Sequence, residues 1–265
     1  MTTHHPRAYW THRQTGGGAV QRVPRLLCAV LLTTLGLCAA PPASAAPTDV
    51  AGMVVFLDPG HNAVNDGNTR QVPTGRGGTK DCQTAGTSTP SGYPEHTFNW
   101  DTTLRIRAAL TALGVRSAMS RGDDTSAGPC VDARAQMANA VQPAAIVSIH
   151  ADGGPPAGSG FHVNYSDPPL NAAQKGPALH LATTMRDQLV AAGLSPSTYV
   201  GSSGLYGRAD LAGLNLAQYP AVLVELGNMR NPTEAAAMET SDGRQHYADA
   251  VVRGIVAYLS QLRSS

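Results

Sequence analysis

Four side chains able to bind a metal or carry a proton sit at the edges of apolar runs. Met53-Val54-Val55-Phe56-Leu57 stops at Asp58-Pro59-Gly60 and leads into His61, Ala145-Ile146-Val147-Ser148-Ile149 leads into His150, and Ala221-Val222-Leu223-Val224 ends in Glu225. The fourth, Glu95, opens a helical pattern after a long stretch rich in Gly, Asn, Thr and Pro. Zinc in a hydrolase takes three nitrogen or oxygen ligands and keeps one position open for water. Two histidines and one glutamate meet that need. The other glutamate can then serve as general base, because zinc lowers the pKa of its water to about 7. Pattern alone leaves open which glutamate does which, since no short HExxH helix holds the candidates together.

The elements that must position these groups are legible. The three apolar runs are strands buried on both faces, and in open α/β sheets sites gather at the carboxyl ends of strands. Residues 62–94 form a long irregular loop, a feature that is usually functional in a compact domain. A helix is expected over Phe98–Leu113, stopped by Gly114, followed by a strand over Val115–Met119 and a short helix over Val131–Val141. Gly160–Tyr165 is expected as a strand and Ala172–Ala192 as a helix closed by Gly193. Asn231-Pro232-Thr233-Glu234 starts another helix, with a capping Asn, Pro at the first helical position and Glu three residues after the cap. Tyr247, Val251, Ile255, Tyr258 and Leu262 stripe a terminal helix. Strands alternating with helices predict the α/β class: a three-layer single domain with a mixed or mainly parallel twisted sheet flanked by helices.

The chain has 265 residues, 42% hydrophobic, 14% charged and 5% aromatic, which excludes collagen, coiled coil and bulk disorder. Leu26–Ala40 is apolar, preceded by Arg22 and Arg25 and followed by Ala43-Ser44-Ala45, so residues 1–45 are expected to be a secretory signal peptide cleaved before Ala46. The run is shorter than the roughly 20 residues a membrane span needs, so no stable anchor is expected after cleavage. Residues 46–265 then hold 15 basic and 18 acidic residues, a net charge of −3. That balance gives no basic face for nucleic acid. Cys28 and Cys38 leave with the leader, and Cys82 and Cys130 remain in an oxidising compartment, where they are expected to pair. Closing a loop of about 48 residues contributes about 3 to 4 kcal/mol by chain entropy.

Val55-Phe56-Leu57-Asp58-Pro59-Gly60-His61, Glu95 with Asn99, Ser148-Ile149-His150-Ala151-Asp152, and Pro220 to Asn228 with Asn231-Pro232 and Glu234 occur in that order. Together they resemble the zinc-dependent N-acetylmuramoyl-L-alanine amidases of the Amidase_3 family, above all small secreted actinobacterial members without a cell-wall-binding domain. The resemblance implies one Zn2+ per chain on His61, Glu95 and His150, with Glu225 as the catalytic glutamate. It implies hydrolysis, by zinc-activated water, of the amide between N-acetylmuramic acid and the L-alanine of the stem peptide. The implied partners are peptidoglycan or muropeptide fragments in the secreted or periplasmic cell-wall space. A monomer is expected because no long apolar surface pattern is present. Asp152 stands where many relatives have Asn. Residues 151–170 are Gly/Pro-rich rather than an inserted occluding helix, so no obligatory activator is expected. Two competing readings are a zinc peptidase cutting within the stem peptide and a catalytically silent wall-binding module, against which the retained Glu225 argues.

Other polar residues divide into structural and substrate roles. His96, beside Glu95, is an alternative ligand, but adjacent side chains on a starting helix point about 100° apart, so one ion is not expected to take both and His96 is expected to face solvent or the ligands' neighbours. His162, His180 and His246 are expected as surface or satisfied histidines. Arg121 and Arg134 could grip a stem-peptide carboxylate or pair with Asp123, Asp124 or Asp132, the structural role being favoured for Arg134. Arg208, in a turn at Leu205-Tyr206-Gly207-Arg208, and Asn228 are the candidate substrate contacts. Asp58 is placed to orient a ligand histidine through a hydrogen bond.

Overall fold

The computed structural model describes residues 50–65 and 70–264; the expected leader over 1–45 lies outside them. The first strand, β1 (Val54–Pro59), is followed by a two-stranded hairpin, β2 (Gln71–Pro73) and β3 (Thr79–Asp81). Then come α1 (Glu95–Ala112), β4 (Arg116–Met119), α2 (Val131–Ala140), β5 (Ala145–Asp152) and β6 (His162–Ser166). The remainder is α3 (Ala172–Lys175), α4 (Pro177–Ala191), β7 (Leu205–Arg208), α5 (Ala212–Asn215), β8 (Ala221–Asn228), α6 (Pro232–Glu239) and α7 (Ser241–Arg263).

The main sheet has six strands in the order β4-β1-β5-β8-β6-β7. β4, β1, β5 and β8 run parallel, β6 is antiparallel to β8, and β7 is parallel to β6. Alternate residues of each central strand face opposite layers. Val55, Leu57, Val147, Ile149, Val222 and Val224 pack with Ile106 of α1, Leu181 and Met185 of α4, and Val251, Ile255 and Tyr258 of α7. Phe56, Ile146 and Ala221 face the other way, onto Ala138 of α2, Leu214 of α5 and Ala217. This second layer is thin, because α5 has four residues. It leaves a cavity of about 150 Å³ floored by Phe56, Ile146 and Leu223, with His61 and His150 in its wall.

The three-layer architecture with a mainly parallel sheet matches the sequence expectation, with local differences. The 62–94 loop contains the β2–β3 hairpin, whose three-residue strands are too short and polar to announce themselves. Cys82, just after β3, is bonded to Cys130 at the start of α2 with Cα atoms 4.5 Å apart, and Val72 packs on the pair. The 172–192 helix is two helices, interrupted at Gly176 and restarted by Pro177 at the head of α4. Leu205–Arg208 is not a turn but an edge strand, β7, paired with β6.

Asn231 caps α6 as its sequence context predicts, accepting from the backbone N–H groups of Thr233 and Glu234 at 3.1 and 3.2 Å. Glu234 does not complete a capping box. Its carboxylate instead accepts from Gly160 N and Asn228 N, both at 2.8 Å, and so pins the approach to β6 against the end of β8.

Candidate metal centre and catalytic site

The end of β1 stays paired with β5 through Gly60 N donating to Ile149 O at 3.0 Å, and the chain then turns at His61, whose φ is +63°. His150 lies on β5, and Glu95 is the first residue of α1. His61 Nε2 and His150 Nδ1 approach the same oxygen, Glu95 Oε1, at 3.1 and 2.9 Å. The two imidazoles stand edge to face, 4.8 Å apart at 78°. One donor atom from each of the three residues lies within 4.8 Å of the others.

Close packing fixes this trio. A Cβ on Gly60 would stand 2.1 Å from His150 Nε2, and one on Gly86 would stand 2.5 Å from Glu95 Oε2 and 2.7 Å from His61 Cδ2, so neither position accepts a side chain without displacing a donor. His61 Nδ1 is 2.9 Å from the carbonyl of Thr84. A carbonyl only accepts, so Nδ1 donates to it, and Nε2 is the nitrogen turned toward Glu95. Glu95 Oε2 accepts from Thr87 N at 2.9 Å, and Oε1 accepts from Asn99 Nδ2 and Ala151 N, both at 3.3 Å.

Burial works against charge on Glu95, yet the His61 and His150 imidazoles overcome it and hold the carboxyl well below the usual range. Burial also pushes both histidines down. Glu95 reverses this at His61, whose pKa is raised, and fails to at His150, whose pKa is lowered. Glu225, the register partner of His150 on β8, has its carboxyl raised well above the ordinary value by burial, then by Glu95 and Asp152. Its Oε2 is buried without a partner among the described residues. Two imidazoles and one carboxylate converging beside an open cavity are the donor set zinc takes, and an unengaged carboxylate one strand away suits a proton acceptor.

Asp58 reaches no histidine. Burial alone would raise its carboxyl, but Arg134 and Ser120 prevail and lower it to about 2. Its oxygens meet Arg134 Nη1 and Ser120 Oγ at 2.6 Å and Ser148 Oγ at 2.8 Å. Arg134 is structural, but with Asp58 rather than Asp123, Asp124 or Asp132, and it also donates to the carbonyls of Pro59 and His61 at 2.8 Å. Asp58 and Arg134 thus clamp the backbone that presents His61. Arg121 is structural as well, held by Asp124 at 2.8 Å and Pro59 O at 3.0 Å.

His96 bonds Asp124 at 2.9 Å. His180 packs beside Tyr258 and His246 beside Tyr247. His162 differs from expectation: it is buried, and its Nδ1 has no partner among the described residues. Arg208 forks onto Asp210 at 2.7 and 2.6 Å and lies over the Tyr206 ring. Asn228 is fully buried, its amide donating to Pro155 O and Gly158 O at 2.8 Å, so it holds the loop after β5. Asp152 accepts from the Tyr199 hydroxyl at 3.0 Å, a partner absent from the sequence reading. The alternation His162, Asn164, Ser166 was the available signal for a polar inner face on β6.

A chain built on this sheet, with these donors at its strand ends, has close counterparts of known kind. Residues 55–257 match Amidase_3, the N-acetylmuramoyl-L-alanine amidase family, and the chain belongs to that family. It is 67% identical over 219 residues to the N-acetylmuramoyl-L-alanine amidase Rv3717 of Mycobacterium tuberculosis, covering 82% of this chain and 91% of that protein. The crystal structure of the N-acetylmuramyl-L-alanine amidase Ami1 from Mycobacterium smegmatis superposes with a TM-score of 0.80 at 67% identity, covering 80% of this chain and 99% of the other. The apo form of Ami1 from Mycobacterium abscessus gives 0.79 at 64% identity, covering 79% and 100%.

Proposed function

We propose that the protein hydrolyses the amide between the lactyl group of N-acetylmuramic acid and the L-alanine that begins the stem peptide, in a zinc-dependent reaction. The observation that carries this reading is the convergence of His61, Glu95 and His150 from three separate elements, with Glu225 in register beside them. Those three residues would hold one Zn2+ per chain. Bound there, the metal supplies Lewis-acid chemistry, polarising an amide carbonyl and lowering the pKa of water to about 7.

The chain's own residues supply the rest. Thr84 holds His61 with its Nε2 pointing inward, and Thr87, Asn99 and Ala151 hold Glu95 in place. The Glu225 carboxylate takes a proton from the attacking water. Its proton affinity, raised by burial and by Glu95 and Asp152, suits it to pass that proton on to the leaving amine nitrogen. We further propose that residues 1–45 are a cleaved leader, that the enzyme acts as a monomer on peptidoglycan or muropeptide fragments in the cell-wall space, and that it needs no activator.

The test is mass spectrometry of products from muramyl dipeptide and a longer muropeptide, with protein as purified, after chelation and after zinc is restored. The expected result is intact stem peptide with a free L-alanine amino terminus, lost on chelation and recovered with zinc. Shortened stem peptide would mean a peptidase instead. No cleavage by zinc-loaded protein would mean a binding module.

A further inference from the structure

β6 lies antiparallel beside β8, and its first residue, His162, is the register partner of Glu225. Glu225 is itself the partner of His150, so His150, Glu225 and His162 form one row across β5, β8 and β6 on the same face of the sheet. Directly opposed residues in an antiparallel pair carry Cβ atoms about 4.5 to 5.5 Å apart. His162 is 2% exposed. Its Nδ1 and Glu225 Oε2 are both buried side-chain atoms with no hydrogen-bond partner among the described residues, each other included. Folds avoid buried polar atoms that bond nothing, and here two of them belong to facing cross-strand neighbours.

The ring is held in place by packing. Tyr199 and Tyr206 stand edge-on to it, 6.2 and 5.9 Å between centroids. The Tyr199 hydroxyl is already committed to Asp152. Asp152 and Arg208 act electrostatically on His162 and on Glu225 alike, as expected of side chains sharing one chamber. Burial pushes the imidazole down to about 4, so it is neutral at neutral pH. A neutral imidazole with hydrogen on Nδ1 is a donor there and carries no charge.

We propose that His162 is the positioning residue of the general base: in solution the two orphaned atoms close on each other, Nδ1–H donating to Glu225 Oε2 and leaving the other carboxylate oxygen directed at the reacting water. The proton taken from that water sits on the free oxygen and departs with the amine, and His162 keeps its own hydrogen throughout. The inference rests on Glu225 being the base.

Steady-state kinetics of zinc-loaded His162→Leu, His162→Asn and Glu225→Ala on a muropeptide, with zinc content measured for each, test it. His162→Leu should lower kcat by about 10- to 100-fold with KM nearly unchanged, as loss of a residue that orients a catalytic group does. His162→Asn, whose amide nitrogen stands near the place of Nδ1, should recover most of that loss. A raised KM with kcat preserved would make His162 a substrate contact and overturn the proposal, as would equal losses in Leu and Asn or a loss that follows zinc content. Turnover lost in Glu225→Ala but unchanged in His162→Leu would overturn the positioning role alone, whereas wild-type turnover in Glu225→Ala would remove the base as well. Independently of activity, the Nδ1 15N resonance of His162 in metal-free protein should be that of a protonated nitrogen and should move on Glu225→Ala. An unmoved resonance would overturn the proposal even if His162→Leu failed to fold.

Discussion

At the scale of residues, neighbouring carboxylates are driven in opposite directions by what surrounds them. Glu95 is held ionised by two imidazoles, whereas Glu225, without a partner for its buried Oε2, has its proton affinity raised by burial and by the neighbouring carboxylates. The first arrangement suits a ligand and the second a proton carrier. Glu225→Ala should therefore retain zinc and lose about 10²- to 10⁴-fold in kcat, which single-turnover assays and metal analysis on one preparation would check. His61→Ala or His150→Ala should instead lower the zinc content itself, and unchanged stoichiometry would mean a different ligand set. Asp58 gives a pH signature with a definite sign. Its folded pKa of about 2 lies below the ordinary 3.8, so its contribution is fully present above 3.8 and is lost as pH falls through 2. That shift corresponds to about 2 kcal/mol at neutral pH. The stability gap between wild type and Asp58→Asn in urea titrations should narrow across that window.

At the scale of elements, the site depends on two clamps outside the candidate metal ligands. Arg134 on α2 grips Asp58 and the carbonyls of Pro59 and His61, so one helix fixes the end of β1. Arg134→Met would leave Asp58 without its charge partner in a half-buried place. A loss of about 3 kcal/mol is expected, readable as a lower denaturation midpoint together with weaker zinc binding, because His61 loses its backbone support. The second clamp is the Cys82–Cys130 bond, which joins the segment after the β2–β3 hairpin to the start of α2. Thr84, which orients His61, follows Cys82 by two residues. Reduction should cost about 3 to 4 kcal/mol by the loop it closes, and calorimetry of reduced, alkylated protein against the oxidised form would measure it.

At the scale of the whole molecule, the sheet brings together residues far apart in the chain. Parallel pairing of β1, β5 and β8 sets their carboxyl ends side by side, and α1 enters with Glu95 at its first residue. One face of the sheet is sealed by α1, α4 and α7, while the thin layer of α2 and α5 leaves a cavity with His61 and His150 in its wall. No described helix is long and apolar enough to cross a membrane.

The amino-acid sequence by itself determined the strands, the helices and the order of the motifs, because those follow from local hydrophobic period and from turn and capping chemistry. The Asn231 cap, the apolar runs into His61, His150 and Glu225, and the α/β class belong to that level. What tertiary structure alone decided was who faces whom. Asp58 and Arg134 meet across 76 residues, Glu234 leaves its cap for Gly160 and Asn228, and His162 lands opposite Glu225. β7 and the β2–β3 hairpin are likewise too short to carry a period and exist through their pairing. The physical reason is the same in each case: a hydrogen bond or ladder partner distant in sequence leaves no mark on the local pattern, and only the packed sheet selects it.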